Sequence, residues 1–148
     1  MIEAFFRAGV GAVVLDESGR ILVLKRKDAP DKKWQLPQGG IRAEELPLDA
    51  LHRELQEEAG LTRSHIDVIQ SIEDWWVYEL PSRYRNPKVG WGQAQRWFLC
   101  RLLAPRDSVR PDHIEVTEAD WVTADQLLDR AVSFRVPIYR RLIAEFGL

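Results

Sequence analysis

The chain has 148 residues, 45% of them hydrophobic and 30% charged, and its formal net charge is -2. This composition is ordinary for a globular protein, and we expect a single domain over residues 1–148. The balanced charge excludes a general nucleic-acid-coating surface, the single cysteine excludes a disulfide framework, and no apolar stretch approaches membrane-spanning length. No signal-peptide pattern is recognisable, so we expect a cytoplasmic protein that does not act at a membrane, and we expect a monomer.

The first part of the chain predicts a hairpin and then a helix. Residues 9–15 and 21–25 are apolar runs joined by Asp-Glu-Ser-Gly, which is typical of a β-hairpin. Residues 47–59 combine a proline in the first turn with leucines at positions 48, 51 and 55, a spacing that places one apolar stripe on a helix. Gly60 follows as a residue that ends the helix. We therefore expect this helix to dock on a core through its leucine stripe.

The rest of the chain predicts further strands followed by two helices. We expect extended segments over residues 66–72, 74–80 and 94–103 and near residues 120–122, helices over residues 124–131 and 137–146, and irregular chain over residues 27–33 and 81–92. Five side chains are expected in or beside the core: Trp75, Trp76, Trp97, Trp121 and Cys100. Strands and helices mixed in this order predict an α+β or α/β domain.

Three glutamates crowd one face of the helix predicted over residues 47–59. Glu54, Glu57 and Glu58 fall within about 100° of arc at the angular spacing of an α-helix. Like charges four residues apart repel each other, so the cluster is unfavourable unless a cation lies among them. Arg53 flanks this arc one turn before Glu57 and can orient that carboxylate. The cluster therefore points to a metal site at the edge of the docked helix.

A longer pattern over residues 39–61 contains this cluster. Gly39 is followed after five residues by Glu45, and after seven more by Arg-Glu-Leu-x-Glu-Glu-x-Gly-Leu. The pattern resembles the signature of the Nudix hydrolases at every defined position. This resemblance implies an α/β fold, the Nudix-type α/β/α sandwich with a mixed β-sheet. It also implies a pyrophosphohydrolase, which uses a divalent cation to hydrolyse a nucleoside diphosphate linked to a further group.

The same resemblance implies roles for individual residues. Glu57, Glu54 and Arg53 are the implied catalytic residues, and the general base is left open between the glutamates. The implied cation is Mg²⁺, with Mn²⁺ as a substitute, and carboxylate oxygens are ligands that Mg²⁺ prefers. A further carboxylate is expected from a distant loop, with Glu115 the first choice and Glu118 the second. The implied metal ligands are Glu54, Glu57, Glu58, Glu115 and the Gly39 carbonyl.

Segments outside the signature resemble one branch of the family. This branch contains the RNA pyrophosphohydrolases and the dinucleoside polyphosphate hydrolases. The similar segments are Trp34-Gln-Leu-Pro-Gln-Gly-Gly, Tyr78-Glu-Leu-Pro, Gly92-Gln-Ala-Gln-Arg-Trp-Phe and Val132-Ser-Phe-Arg. The likeness extends over residues 7–146 and departs at residues 83–91, where length and composition differ from the RNA enzymes.

A substrate of this branch needs an aromatic face for its base and cations for its phosphates. By resemblance, Tyr78 and Phe134 clamp the base, and a stacked base contributes roughly 1–3 kcal/mol. Lysine and arginine side chains pair with phosphate oxygens, and side-chain amides can add neutral contacts. The further candidates for substrate binding are Arg7, Arg26, Lys33, Gln38, Arg83, Arg85 and Gln95.

Two substrates that require the same chemistry remain open. We favour dinucleoside polyphosphates, such as diadenosine tetraphosphate cleaved to ATP and AMP, because the chain is short and shows no large basic surface. The alternative is 5′-triphosphate RNA, from which the same site would release pyrophosphate. A third interpretation, a non-catalytic Nudix-fold module that binds nucleotide or protein, is disfavoured because the glutamates of the signature are all present. The expected partner is therefore a nucleotide polyphosphate or the 5′ end of an RNA.

Overall fold

The computed structural model describes residues 3–27 and 34–148, and the elements below belong to those residues. The strands are β1 (Phe6–Leu15), β2 (Ile21–Arg26), β3 (Trp34–Gln35), β4 (Gln38–Gly40), β5 (Ile66–Ser71), β6 (Trp76–Glu79), β7 (Gly92–Leu102) and β8 (Val116–Val122). The helices are α1 (Pro47–Ala59), α2 (Ala124–Arg130) and α3 (Val136–Phe146). Short 3-10 turns lie at Arg63–His65, Ser82–Tyr84, Arg106–Ser108 and Ser133–Arg135.

The strands form one mixed sheet, whose centre is the parallel pair of β1 and β7. These two strands run side by side, from Phe6 opposite Gly92 to Leu15 opposite Arg101. The described strands follow the order β3-β2-β1-β7-β5, while β4 pairs with β1, β6 with β7 and β8 with β2. The pairings other than β1 with β7 are antiparallel. Within the sheet β1 therefore has β7 on one side, and on the other side it pairs with β4 from Gly9 to Gly11 and with β2 at Leu15.

Helices cover both faces of this sheet, because side chains on a strand alternate between the two faces. In β1, Val14 lies in a core that it shares with Leu51 of α1. Its neighbour Val13 lies in a second core, shared with Leu127 of α2 and Leu142 of α3. The result is a sandwich of helix, sheet and helices, as the resemblance implied. Among the helices of the described chain, none has the length and apolar character needed to cross a membrane.

Most of the predicted elements are confirmed. The helix over residues 47–59 has the predicted bounds and ends at Gly60, whose φ of 68° lies in the left-handed region. The hairpin forms between β1 and β2. The two C-terminal helices appear as α2 and α3, within one residue of their predicted bounds. The leucine stripe is buried at Leu51 and Leu55, whereas Leu48 is 40% exposed.

Three details of the prediction were wrong. It missed β3 and β4, because strands of two and three residues are too short to show a periodic pattern and form only by pairing with β2 and β1. The strand near residues 120–122 begins earlier, at Val116, because it pairs with β2 along that strand's full length. Trp75 is 45% exposed, since only the neighbouring Trp76 points into the core. Cys100 is fully buried, as expected.

Candidate active site

A cleft of about 520 Å³ is lined by α1, by β4 and by residues of several distant segments. Ten charged side chains of the described residues line it, six basic and four acidic. They are Arg7, Arg26, Arg42, Arg53, Lys88 and Arg135, and Glu54, Glu57, Glu58 and Glu115. The cleft thus brings the predicted acidic cluster together with a concentration of cations that no single stretch of sequence displays.

Arg53 is the centre of a hydrogen-bond network at one end of this cleft. Its Nη2 donates to the Gly40 carbonyl oxygen at 2.7 Å, and its Nε and Nη2 donate to the two oxygens of Glu45 at 2.8 and 2.9 Å. Its Nη1 donates to Glu54 at 2.8 Å and to Glu57 at 3.4 Å. The Arg53 hydrogen bonds hold the pKa of Glu45 at about 2, below its usual 4.5. The planar fork of the guanidinium therefore ties α1 to β4 and orients the Glu54 carboxylate.

Glu58 is the most buried acid that lines the cleft, with 3% exposure. Burial raises the pKa of this carboxyl to about 9, and a hydrogen bond with Glu54 and the charge of Glu54 add to the rise. Its Oε2 has no hydrogen-bond partner. A buried polar atom without a hydrogen-bond partner is unfavourable, and a bound ion is one partner that would satisfy it.

The residues at this place fit a divalent cation. The partnerless oxygen of Glu58 lies among further carboxylates, which are the hard ligands that Mg²⁺ prefers. The backbone of Gly39 lies close to the Glu54 carboxylate, so that a Cβ at position 39 would overlap that carboxylate. As they stand, the His, Cys, Asp and Glu side chains of residues 3–27 and 34–148 form no group of three that encloses an ion. Ion pairs explain this, since Arg53 holds Glu54 at 2.8 Å and Arg42 lies 3.5 Å from Glu57.

Of the two distant acids that the sequence suggested as ligands, Glu115 lines the cleft and Glu118 does not. Glu115 lies 3.9 Å from Arg26, is 59% exposed at its side chain, and is close enough to contribute to the raised pKa of Glu58. Glu118 instead forms an ion pair with Lys25 at 2.9 Å. The position of Glu115 agrees with its predicted role, which stays a prediction.

The predicted base clamp appears as two rings that contact each other. The ring centres of Tyr78 and Phe134 lie 6.2 Å apart at an interplanar angle of 28°, within the range of directly packed aromatic pairs. A third ring, Tyr84, lies 5.2 Å from Phe134. Neither Tyr78 nor Phe134 is among the described residues that line the cleft. The two residues are therefore brought together as predicted, but in packed contact outside the cleft lining.

The predicted phosphate-binding residues divide into two groups. Arg7, Arg26 and Gln38 line the cleft. Arg83 and Arg85 do not, because their guanidinium groups lie over the rings of Tyr84 and Trp91, at 4.9 and 4.5 Å from the ring centres. Gln95 is 1% exposed and donates to Gln38 at 3.2 Å, so it contacts the cleft only through that residue. Lys33 lies outside the described residues.

Sequence reasoning missed five polar residues that line the cleft. They are Arg42, Asn86, Lys88, Gln93 and Arg135. Arg42 belongs to the signature segment and Arg135 follows Phe134, so their positions next to predicted site residues were available signals. Gln93 lies beside Arg7 only because β1 and β7 are parallel neighbours. Asn86 and Lys88 come from residues 83–91, the segment that we expected to differ from the RNA enzymes.

A model of the NUDIX domain matches residues 5–142 of the chain. This chain belongs to the NUDIX family. The chain is also similar to two curated relatives that are named RNA pyrophosphohydrolase. The protein of Thioalkalivibrio sulfidiphilus is 40% identical over 149 residues, which cover 96% of this chain and 84% of the relative. The protein of Saccharophagus degradans is 38% identical over 154 residues, which cover 99% of this chain and 89% of the relative.

A solved Nudix-fold structure agrees with the architecture. The binary complex of the C. elegans Ap4A hydrolase superposes with a TM-score of 0.70 over 94% of this chain and 98% of that chain, at 19% identity. At this identity the likeness supports the fold alone. Together with the family membership it confirms the predicted sandwich.

Membership in the family also gives the general chemistry of this chain. It is a Nudix hydrolase of the pyrophosphohydrolase type, as the signature predicted. Nudix hydrolases generally depend on a divalent cation, and their substrates are nucleotides or RNA ends. The helix α1 is thus the Nudix helix, and the cleft beside it is the candidate active site.

Proposed function

We propose that this Nudix hydrolase removes pyrophosphate from the 5′-triphosphate end of RNA. The observation that carries the proposal is the similarity over nearly the whole chain, at 38–40% identity, to proteins named RNA pyrophosphohydrolase. The cleft supports it, because six basic side chains lie around the acids of α1, and three of them, Arg7, Lys88 and Arg135, have no acidic partner in the described part of the chain and can pair with phosphate oxygens. The sequence-based preference for dinucleoside polyphosphates rested on the short chain and on the lack of a large basic surface, and this concentration of cations weakens the second of these arguments.

The proposed reaction exchanges one P–O bond for another. A water oxygen bonds to the α-phosphorus, and the bond from that phosphorus to the α–β bridging oxygen breaks. Pyrophosphate leaves, and the RNA keeps a 5′-monophosphate. The proton of the water passes to a carboxylate of α1, that of Glu57 or that of Glu54. Both carboxylates accept a hydrogen bond from Arg53 Nη1. Because phosphoryl transfer depends mainly on positioning and electrostatic stabilisation, the orientation that Arg53 imposes on these carboxylates is part of catalysis.

The proposed cation is Mg²⁺, with Mn²⁺ as a substitute. Its proposed ligands are Glu54, Glu57, Glu58, Glu115 and the Gly39 carbonyl. When bound, it would neutralise charge on the phosphates and lower the pKa of the attacking water. Arg7, whose guanidinium lies against Gly40, and Arg26 would bind phosphate oxygens beside it.

Initial rates on two substrates side by side test the proposal. We expect a higher kcat/KM for a short 5′-triphosphate RNA, with pyrophosphate as the product, than for diadenosine tetraphosphate. Glu57→Gln should remove both activities while leaving the far-UV circular dichroism spectrum unchanged, which places both reactions in this cleft. A higher kcat/KM for diadenosine tetraphosphate, with ATP and AMP as products, would contradict the proposal.

The second candidate function is hydrolysis of dinucleoside polyphosphates, and the aromatic cluster favours it. Tyr78 and Phe134 offer ring faces on which a second base could stack, and Tyr84 packs against Phe134. If the cluster serves this purpose, Phe134→Ala raises KM for diadenosine tetraphosphate about tenfold, the equivalent of about 1.4 kcal/mol of lost stacking, with little change in metal dependence. An unchanged KM would assign Phe134 to packing. Tyr84→Ala is the matched control for the loss of packing on the same ring.

A further inference from the structure

Half of the basic side chains that line the cleft have no acidic partner in the described part of the chain. The paired ones are Arg26, Arg42 and Arg53. The others are Arg7, Lys88 and Arg135. A cation that faces a cleft without a carboxylate partner is available for an anionic ligand. Lys88 is the one of these that comes from the segment in which this chain departs from the RNA enzymes.

The loop that carries Lys88 has a fixed internal structure. The Asn86 side-chain oxygen accepts hydrogen bonds from the backbone N–H groups of Lys88 and Val89, at 2.8 and 3.0 Å. The Gly90 N–H donates to the Asn86 carbonyl at 2.7 Å. These bonds close a tight turn, so the backbone of Lys88 is held in one conformation.

The same loop is attached to the sheet at both of its ends. The Trp91 N–H donates to the Phe5 carbonyl at 2.8 Å, next to β1, and the Leu80 N–H donates to the Trp91 carbonyl at 2.7 Å. Arg85 donates from its Nε to the Leu80 carbonyl at 2.9 Å, with its guanidinium over the Trp91 ring. The sheet therefore sets the position from which Lys88 reaches the cleft.

The acids of α1 and the loop of Lys88 lie on different sides of β1. Glu54 lies against Gly39 in β4, whereas the loop leads into β7. Since β1 has β4 and β7 as its neighbours, these two walls are separated by two strand spacings, roughly 10 Å. A triphosphate held beside α1 is met by the cations on that side of the cleft. Lys88 lies on the other side of β1 and therefore faces the part of the substrate that continues beyond the triphosphate.

We propose that Lys88 binds a phosphodiester of the RNA chain beyond the first nucleotide, and so makes the enzyme select polynucleotide ends over free nucleotides. This inference rests on the proposed function. An RNA carries an internucleotide phosphate at every step, whereas a nucleoside triphosphate carries none. One cation at the far wall of the cleft therefore distinguishes the two substrates without touching the reacting phosphate.

Two measurements on the full chain test this role. The first compares kcat/KM for a six-nucleotide 5′-triphosphate RNA with kcat/KM for ATP. Lys88→Ala should lower the ratio of these two values about tenfold, through KM for the RNA, as expected for one lost charge-assisted contact. Lys88→Arg should restore the ratio, because it keeps the charge. Arg101→Ala is the matched control, because it removes one exposed cation from β7 outside the cleft lining.

The second measurement needs no hydrolysis, so it separates this inference from the proposed function. It follows binding of a 3′-labelled, 5′-monophosphate RNA hexamer by fluorescence anisotropy at several salt concentrations. Lys88→Ala should reduce the slope of log Kd against log salt by about 0.7, the value for one phosphate contact on a single strand. If the wild type cleaves only dinucleotides but binds the hexamer with this dependence on Lys88, the proposed function fails and the contact stands. An unchanged slope, an unchanged ratio, or a wild type that does not bind the hexamer would overturn the inference.

Discussion

Glu58 and Arg53 show how burial gives two residues of one helix opposite tasks. Glu58 is buried with a partnerless oxygen, which disfavours its charged form. Arg53 is nearly as enclosed, with 17% of its side chain exposed, but every hydrogen bond that it donates meets a carboxylate or a carbonyl. Glu58 therefore has an oxygen that could bind a cation, whereas Arg53 already holds the neighbouring carboxylates in place through its hydrogen bonds.

The first prediction concerns the pH dependence of stability without a divalent cation. Because the pKa of Glu58 is about 9 in the folded chain against 4.5 as the ordinary value, the folded state binds more protons, and stability falls as pH rises from about 5 to 9. Glu58→Gln removes this titration. At pH 8 with EDTA we expect the melting temperature of the variant to exceed that of the wild type, by about 2–4 °C for each kcal/mol. Added Mg²⁺ should raise the melting temperature of the wild type only.

The control for this experiment is Glu118→Gln. Glu118 is 57% exposed at its side chain and pairs with Lys25, so its replacement should leave the pH dependence unchanged. A wild-type melting temperature that stays constant between pH 5 and 9 in EDTA would contradict the prediction.

Arg53→Lys tests whether the fork of the guanidinium, and not only its charge, is needed. Lysine keeps the positive charge but cannot donate at once to Gly40, Glu45 and Glu54 as Arg53 does. Since Glu54 is a proposed metal ligand, and partners that orient metal ligands typically matter 10–100-fold, we expect kcat to fall by about that factor. Arg130→Lys, at an ion pair with Asp120 outside the cleft lining, is the control. Wild-type kcat in Arg53→Lys would show that orientation of the carboxylates is unimportant.

At the scale of elements, the junction of β4 and α1 builds the site. β4 is three residues long and owes its position to pairing with β1, which places Gly39 opposite Val10. α1 then follows, with the Glu54 carboxylate against this strand and with Leu51 and Leu55 packed in the core. The lack of a side chain at Gly39 is what permits the Glu54 carboxylate to lie against the backbone.

Two glycine substitutions distinguish an effect on the active site from an effect on the stability of the fold. A Cβ at position 39 would overlap the Glu54 carboxylate, the end of a side chain that can move, so Gly39→Ala should lower kcat at least tenfold with little loss of stability. A Cβ at position 11 would overlap the fully buried Trp97 ring, so Gly11→Ala should cost about 1–3 kcal/mol of stability. Urea denaturation and initial rates distinguish the two. Equal loss of activity in both variants at a temperature where both are folded would contradict this assignment.

At the scale of the whole molecule, one sheet carries two cores, one on each face. β1 and β7 contribute to both, so the two faces share their central strands. We propose, as the length of the chain predicts, that residues 1–148 unfold as one domain. Cys100 provides a probe, because it lies in β7 and is fully buried.

Labelling of Cys100 should report global unfolding. Burial raises the pKa of its thiol to about 12, so the reactive thiolate is scarce as well as inaccessible in the folded chain. In a urea titration we expect reaction with a thiol reagent to follow the same transition as the loss of activity. Cys100→Ala supplies the unlabelled control. Labelling that precedes the loss of activity would indicate that the sheet opens in parts.

The fold was predictable to the extent that its signals were local. The hairpin turn, the proline and glycine at the ends of α1 and the leucine stripe each lie within a few residues, and the structure confirms them apart from the exposed Leu48. The short strands β3 and β4 and the early start of β8 were not predictable, because pairing with a distant strand creates them. The exposure of Trp75 was missed for a similar reason, since composition does not say which of two adjacent tryptophans faces the core.

The sequence by itself determined the family, the sandwich fold and the acidic face of α1, because the signature and the helix period are contained in residues 39–61. Only the tertiary structure decided which other side chains meet that face. The parallel pairing of β1 with β7 places Gln93 beside Arg7, and the loop attached to this pair brings Lys88 to the cleft while Arg83 and Arg85 lie over aromatic rings. No local pattern predicts that Lys88 reaches the cleft, since its loop is positioned by the hydrogen bond from Trp91 to Phe5, which lies more than 80 residues earlier in the chain.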